Sequence, residues 1–139
     1  MFKGAKVLVA GGAGFIGANL VKRLLDEGAS VRATVHRKDP VILDDRIEYV
    51  KCELTSMDDC KKVVDGMDYV FMCAASTSGA AVIASTPLVH VTPNIVMNSQ
   101  MLEAAYFARV KIFIWLSSNA AYPPSIPGRR SGCQWDRQH

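Results

Sequence analysis

At 139 residues the chain is the size of one domain, with too little sequence for a second core. Half of its residues are hydrophobic and 21% are charged, a globular balance that excludes disordered, collagenous and coiled-coil classes. The net charge is +3, and its excess gathers after Ser125, in Arg129, Arg130 and Arg137 against Asp136, so no basic stripe points to a nucleic acid.

Five short apolar runs predict strands: Lys6–Ala10, Ser30–Val35, Ile47–Cys52, Tyr69–Ala74 and Lys111–Leu116. Several are almost continuously apolar, as strands covered on both faces are. Helical periodicity fills the gaps. Ala18–Glu27 sets Leu20, Val21, Leu24 and Leu25 on one face, with Gly28 as its stop. Ser56–Asp65 opens on a capping Ser56 with Asp58 and Asp59 in the first turn. Pro93–Arg109 takes Thr92 as cap and Pro93 as its first helical residue. Strands alternating with helices predict an α/β fold, a doubly wound parallel sheet. The expected strand order is 3-2-1-4-5, incomplete on the C-terminal side. After Pro124 the periodicity stops, which divides the chain into a domain over residues 1–124 and a divergent, flexible tail over 125–139.

Cys52, Cys60, Cys73 and Cys133 show no C-x-x-C and no histidine at ligand spacing, so no metal site is expected. Cys52 and Cys73 read as core thiols, reduced, in a cytoplasmic protein. No apolar run is long enough to span a bilayer. Met1–Leu20 is not read as a signal peptide, because glycines interrupt it and it has no clean cleavage pattern.

The first predicted strand runs straight into Gly11-Gly12-Ala13-Gly14-Phe15-Ile16-Gly17. Between a strand and a helix, such a run is a dinucleotide loop. Gly11 turns the chain, Gly14 lets backbone approach a pyrophosphate, and Gly17 lets helix pack on strand, while first-turn N–H groups, including those of Phe15 and Ile16, face the phosphates. The competing reading is a tight turn that binds nothing. Past the second strand stand His36, Arg37 and Lys38, where an NAD site wants an acid for the ribose hydroxyl. Arg37 can fork onto a 2′-phosphate and Lys38 can offer a point charge, so NADP is favoured over NAD. A solvated surface turn is the alternative.

The glycine spacing is G-x-x-G-x-x-G, and with it the chain resembles the extended short-chain dehydrogenase/reductases, the NAD(P)-dependent epimerases and dehydratases of sugar nucleotides. Cys52-Glu53-Leu54-Thr55 resembles the family's Gly-Asp-Leu-Thr segment beside the adenine, with Glu for Asp. Phe71-Met72-Cys73-Ala74-Ala75 is similar to the strand ending that lies along the cofactor. Asn94-Ile95 with Met101-Leu102-Glu103-Ala104-Ala105 is similar to the family's Asn-Val…Leu-Leu-Glu-Ala-Ala helix, and Ser117-Ser118-Asn119-Ala120-Ala121-Tyr122-Pro123 to its Ser-Ser-x-x-x-Tyr strand end. The Tyr-Pro-Pro ending is loosely similar to the GDP-fucose synthase branch.

The resemblance implies a Rossmann fold, NADP or NAD as cofactor, and a sugar-nucleotide substrate for a full-length relative. It implies cofactor contacts at Gly11, Gly14, Phe15, Ile16, Gly17, His36, Arg37, Lys38, Glu53, Leu54, Cys73, Ala74 and Ala75. Ser118 takes the place of the catalytic serine, and Asn94 that of a site-supporting asparagine. In the family a Tyr-x-x-x-Lys pair moves the proton. Four positions after Tyr49, Tyr69, Tyr106 and Tyr122 stand Glu53, Cys73, Val110 and Ile126, none of them Lys. Family spacing puts the pair beyond His139. The expectation is a dinucleotide-binding N-terminal part that is not catalytic alone. Its alternatives are a non-catalytic NADP(H)-binding module and an inert truncated product. An edge strand and an uncovered apolar face lead us to expect self-association.

Overall fold

A strand flanked on both sides by other strands, with helices above and below, buries every residue whichever way it points. Lys6–Ala10 (β1) is such a strand, and from Val7 to Ala10 nothing is exposed. The computed structural model describes residues 2–77, 82, 85, 86 and 88–117. Around β1 stand β2 (Ser30–Val35), β3 (Ile47–Lys51), β4 (Tyr69–Met72) and β5 (Ile112–Trp115), all parallel, in the order β3-β2-β1-β4-β5. This is the expected doubly wound order.

The pleat divides the core in two. Val7 and Val9 join Val31, Ala33 and Ile47 under α1 (Phe15–Asp26), which contributes Val21, Leu24 and Leu25. Leu8 and Ala10 point the other way, with Val70 and Met72. There they meet α2 (Met57–Val64) and α3 (Leu88–Phe107) through Cys60, Val63, Val64, Met97, Met101, Ala104 and Ala105. Within β2, Arg32 serves three partners. Its Nε donates to Glu48 at 2.8 Å, and one guanidinium nitrogen donates to the carbonyls of Val63 and Asp65 at 3.0 Å, closing the C-terminus of α2.

Element ends depart from the sequence reading in ways local chemistry explains. The helix α1 begins at Phe15 rather than Ala18, because Gly14 in extended backbone serves as its N-cap. Ser56 caps α2 as expected, its hydroxyl accepting from the Asp59 N–H at 3.5 Å. The largest correction is α3, which starts at Leu88, so Pro93 lies inside it rather than at its first position. Proline removes one backbone donor there, and the Asn94 amide donates to the His90 carbonyl at 2.7 Å in the same turn. The strands β3, β4 and β5 are each shorter than read, ending at Lys51, Met72 and Trp115.

Two helices end on the same hydrogen-bond pattern with different residues. After α1, Gly28 at φ 78° lets Ala29 N–H reach the Leu24 carbonyl. After α3, Arg109 occupies the same left-handed conformation at φ 58°, with Val110 N–H on the Ala105 carbonyl. A side chain in that region costs about 1 kcal/mol relative to glycine. Arg109→Gly is therefore expected to raise the unfolding free energy by up to about 1 kcal/mol, read from urea denaturation at unchanged m-value.

Candidate functional site: the carboxyl edge of the sheet

Parallel strands deliver all their carboxyl ends to one edge. On this sheet the connections part between β1 and β4, since β1 leads through α1 to β2 on one side while β4 lies on the other. Such a switch point is where open α/β sheets take ligands. The glycine loop sits on it.

Its glycines are fixed by what surrounds them. Gly11 has φ 84°, and a Cβ there would stand 2.7 Å from the Ala74 Cα on the β4 ending. A Cβ on Gly12 would lie 2.7 Å from the Ala33 Cβ of β2, and one on Gly17 only 2.1 Å from the Gly11 carbonyl oxygen. The turn read for Gly11 is thus present, and Gly17 lets α1 pack on the loop at Gly11 and Gly12. Gly12 carries a packing duty that the spacing motif alone does not reveal. Gly14 N–H donates to the Gly11 carbonyl, and Ala18 N–H to the Gly14 carbonyl. No side chain caps α1 and no acid stands in its first turn, so its N-terminal N–H groups are presented at the sheet edge. The side chains of Phe15 and Ile16 are exposed there, Phe15 at 88%.

One residue that the sequence reading passed over holds this loop. Thr34 on β2 is fully buried. Its hydroxyl accepts from Gly11 N–H at 2.9 Å and its carbonyl accepts from Gly12 N–H at 2.8 Å. A buried threonine within a strand-forming run looks like any β-branched strand residue, and only the adjacent glycines hint at its second task.

On the adenosine side, His36, Arg37 and Lys38 are all exposed just past β2. Across from them, Glu53 follows β3. Its Oε2 lies 2.9 Å from His36 Nε2, and its Oε1 accepts from Thr55 N–H at 3.2 Å. The Thr55 N–H, with the charges of His36 and Arg37 behind it, holds the Glu53 carboxyl below its usual range. Leu54, by contrast, is buried in the core, so its side chain is removed from the edge.

On the β4 side, Cys73 N–H continues the sheet by donating to the Ala10 carbonyl, and Ala74 and Ala75 carry the chain over the glycine loop. Asn94 reaches this segment from α3. Its Oδ1 accepts from Ser76 N–H at 2.8 Å and its Nδ2 donates to the Ser76 carbonyl at 2.9 Å, a two-point grip on the strand ending. Asn94 therefore stands as a positioning residue. Burial pushes the thiols of Cys52, Cys60 and Cys73 up to about 11, so none is a thiolate at neutral pH. No group of metal-ligating side chains occurs among the described residues. Ser118, Tyr122 and the tail from 125 lie outside the described residues.

Thr34→Val preserves shape while leaving the Gly11 N–H without its acceptor. It is expected to lower the unfolding free energy by about 1–3 kcal/mol in denaturant titration, with Thr34→Ser losing distinctly less.

Comparison with known proteins places this geometry. A family model described as the NAD dependent epimerase/dehydratase family matches residues 7–134. GDP-mannose 3,5-epimerase 1 of Oryza sativa subsp. japonica is 35% identical over 120 residues, 85% of this chain and 32% of that protein. A 3 beta-hydroxysteroid dehydrogenase/Delta 5→4-isomerase of Mycobacterium tuberculosis is 36% identical over 118 residues, 83% of this chain and 32% of that protein. The chain thus spans about a third of the length of the curated relatives it matches. Among solved structures, MoeE5 in complex with UDP-glucose and NAD superposes with a TM-score of 0.74 at 25% identity, covering 87% of this chain and 39% of that one. From its glycine loop to its strand order, the chain belongs to the NAD-dependent epimerase/dehydratase family.

Proposed function

We propose that this chain is a nicotinamide-dinucleotide-binding unit of a sugar-nucleotide-modifying enzyme, with NADP(H) preferred to NAD(H). The observation that carries the binding reading is the uncapped start of α1, held against Gly11 by Gly17 at the β1–β4 switch point. The N–H groups of Phe15 and Ile16 there take the pyrophosphate, approached past Gly14. Cys73, Ala74 and Ala75 flank the nicotinamide half, and His36, Arg37, Lys38 and the Glu53-Leu54 backbone flank the adenosine half. When bound, the nicotinamide supplies two-electron redox chemistry. This chain's residues bind and orient it.

Two cations precede the first acid of the segment after β2, Asp39, and support NADP(H), since Arg37 and Lys38 suit a 2′-phosphate better than a ribose hydroxyl. A sugar-nucleotide substrate is supported by the relatives, one a GDP-mannose epimerase and another solved with UDP-glucose. Ser118 and Asn94 keep the roles of substrate-side hydroxyl and loop support. No Tyr-x-x-x-Lys pair occurs in the 139 residues, so we assign binding rather than turnover to the chain by itself. Three unpaired thiols, Cys52, Cys60 and Cys73, support a reducing, cytoplasmic setting. No helix among the described residues is long and apolar enough to cross a membrane.

Calorimetric titration with NADPH and with NADH tests this reading. NADPH should bind more tightly, and Gly17→Ala should weaken both by at least about tenfold, because its Cβ must drive α1 off the Gly11 carbonyl. Equal or absent binding of the two dinucleotides would overturn the preference or the site respectively. Oxidation or reduction of the dinucleotide driven by a sugar nucleotide, seen with the 139-residue chain alone, would overturn the assignment of binding without turnover.

The same reading includes self-association. On α3 the exposed residues Leu88, Val91, Ile95, Leu102 and Tyr106 recur at helical spacing, and Met97, Met101, Ala104 and Ala105 occupy the buried side. The edge strand β5 also exposes Ile112 and Trp115. A row of exposed apolar side chains of this kind is what association surfaces present. Light scattering should show species above the monomer mass that grow with concentration, and Leu102→Glu should reduce them. A monomer at every concentration would contradict association.

A further inference from the structure

The His36–Glu53 contact contributes little to holding the fold. Both side chains are about half exposed, at 51% and 47%, and each stands past the end of its strand. Yet the contact is well defined. Glu53 is oriented by Thr55 N–H on its other oxygen, and its own backbone N–H donates to Asp59 Oδ2 of α2 at 2.8 Å. A carboxylate is thereby fixed beside the cations that follow β2.

That placement opposes a 2′-phosphate. With His36 neutral, Arg37 and Lys38 are offset by Glu53 and by Asp39 on the same segment. With His36 protonated, the pair is a salt bridge, Glu53 is neutralised within it, and the segment keeps a net positive charge. Histidine is the side chain that ordinarily changes charge between about pH 5 and 8. The other charged groups around the pair are Asp59, engaged with the Glu53 backbone, and Lys51, which pairs with Val35 one position before His36.

We propose that the His36–Glu53 pair tunes the preference for a phosphorylated over an unphosphorylated adenosine ribose, strengthening it when His36 is protonated and weakening it when it is not. The inference rests on the reading that the carboxyl end of β2 holds the adenosine ribose. It goes beyond that reading in giving the site a pH-dependent preference and in making Glu53 a determinant acting against the phosphate.

The test is calorimetric titration of the 139-residue chain with NADP⁺ and NAD⁺ at pH 6.5 and 8.0, at fixed low ionic strength. The ratio of the two dissociation constants is compared in wild type, His36→Gln and Glu53→Gln. The phosphate also titrates near pH 6, but equally in all three proteins, so the difference between wild type and His36→Gln isolates the histidine. A unit charge within about a Debye length of a phosphate changes its binding by about threefold to tenfold. Wild type should therefore gain about that much more preference for NADP⁺ on acidification than His36→Gln gains. Glu53→Gln should raise the preference by a similar factor at pH 8.0. Identical pH profiles in wild type and His36→Gln, or an unchanged ratio in Glu53→Gln, would overturn the proposal. A chain that prefers NADP⁺ under all conditions with no response to either variant refutes the pair alone. No preference for NADP⁺ in any of the three proteins at either pH refutes the cofactor reading beneath it. All substituted positions are solvent-exposed, and matching thermal midpoints confirm that folding is not what changed.

Discussion

The contact on which the site depends is the approach of Gly17 to the Gly11 carbonyl. A Cβ on Gly17 would come within 2.1 Å of that oxygen, well inside any real contact, so α1 can lie where it does only without a side chain at that position. Because α1 comes down directly behind the loop, its first N–H groups stand at the sheet edge rather than being lifted away from it. Two further close approaches fix the loop laterally. Gly12 rests on Ala33 of β2, and Gly11 on Ala74 beyond β4. The loop is thus held between two neighbours of β1, and its position follows from strand spacing, which is the least adjustable dimension of the fold. A phosphate-binding surface made from backbone alone needs that rigidity, having no side chains with which to adapt.

How far this was readable from sequence differs from element to element, for physical reasons. The runs β1 and β2 were legible to the residue, β1 from its apolar stretch Val7–Ala10 and β2 from its β-branched Val31, Thr34 and Val35. The strand order followed from alternation and handedness, and the glycine spacing marked the loop. The start of α3 was not legible, because Pro93 after Thr92 is the ordinary signature of a first helical turn. The structure instead carries the helix upstream to Leu88 and tolerates the lost donor. Contacts between distant residues were equally hidden. Nothing near Asn94 in sequence announces Ser76, and nothing near His36 announces Glu53; each pair is made by two chain segments that only the sheet brings together.

The strand β2 shows how one element serves fold and site together. Side chains two apart share a face of a strand, and Arg32, Thr34 and His36 fall at that spacing, the last just past the strand end. Each ties β2 to something different. Arg32 closes the C-terminus of α2 and pairs with Glu48, Thr34 accepts from the glycine loop, and His36 meets Glu53. The row runs toward the ligand edge, where its last member is the most exposed. Arg32 is largely covered and fully engaged, Thr34 is completely buried, and His36 is half open to solvent.

That contrast separates the side chains that serve the interior from the one that faces solvent. The guanidinium and the hydroxyl satisfy backbone groups inside the molecule, where losing a partner leaves a desolvated donor or acceptor and costs stability. The imidazole contributes little to stability, since an exposed pair with a carboxylate is worth little in water. Its position at the edge, among Arg37, Lys38 and Glu53, makes its charge matter to whatever approaches from solvent. In this chain the interior members of the row serve the fold. The exposed member and its partner are free to tune which dinucleotide the same backbone cradle prefers, and this chain places a titratable group there.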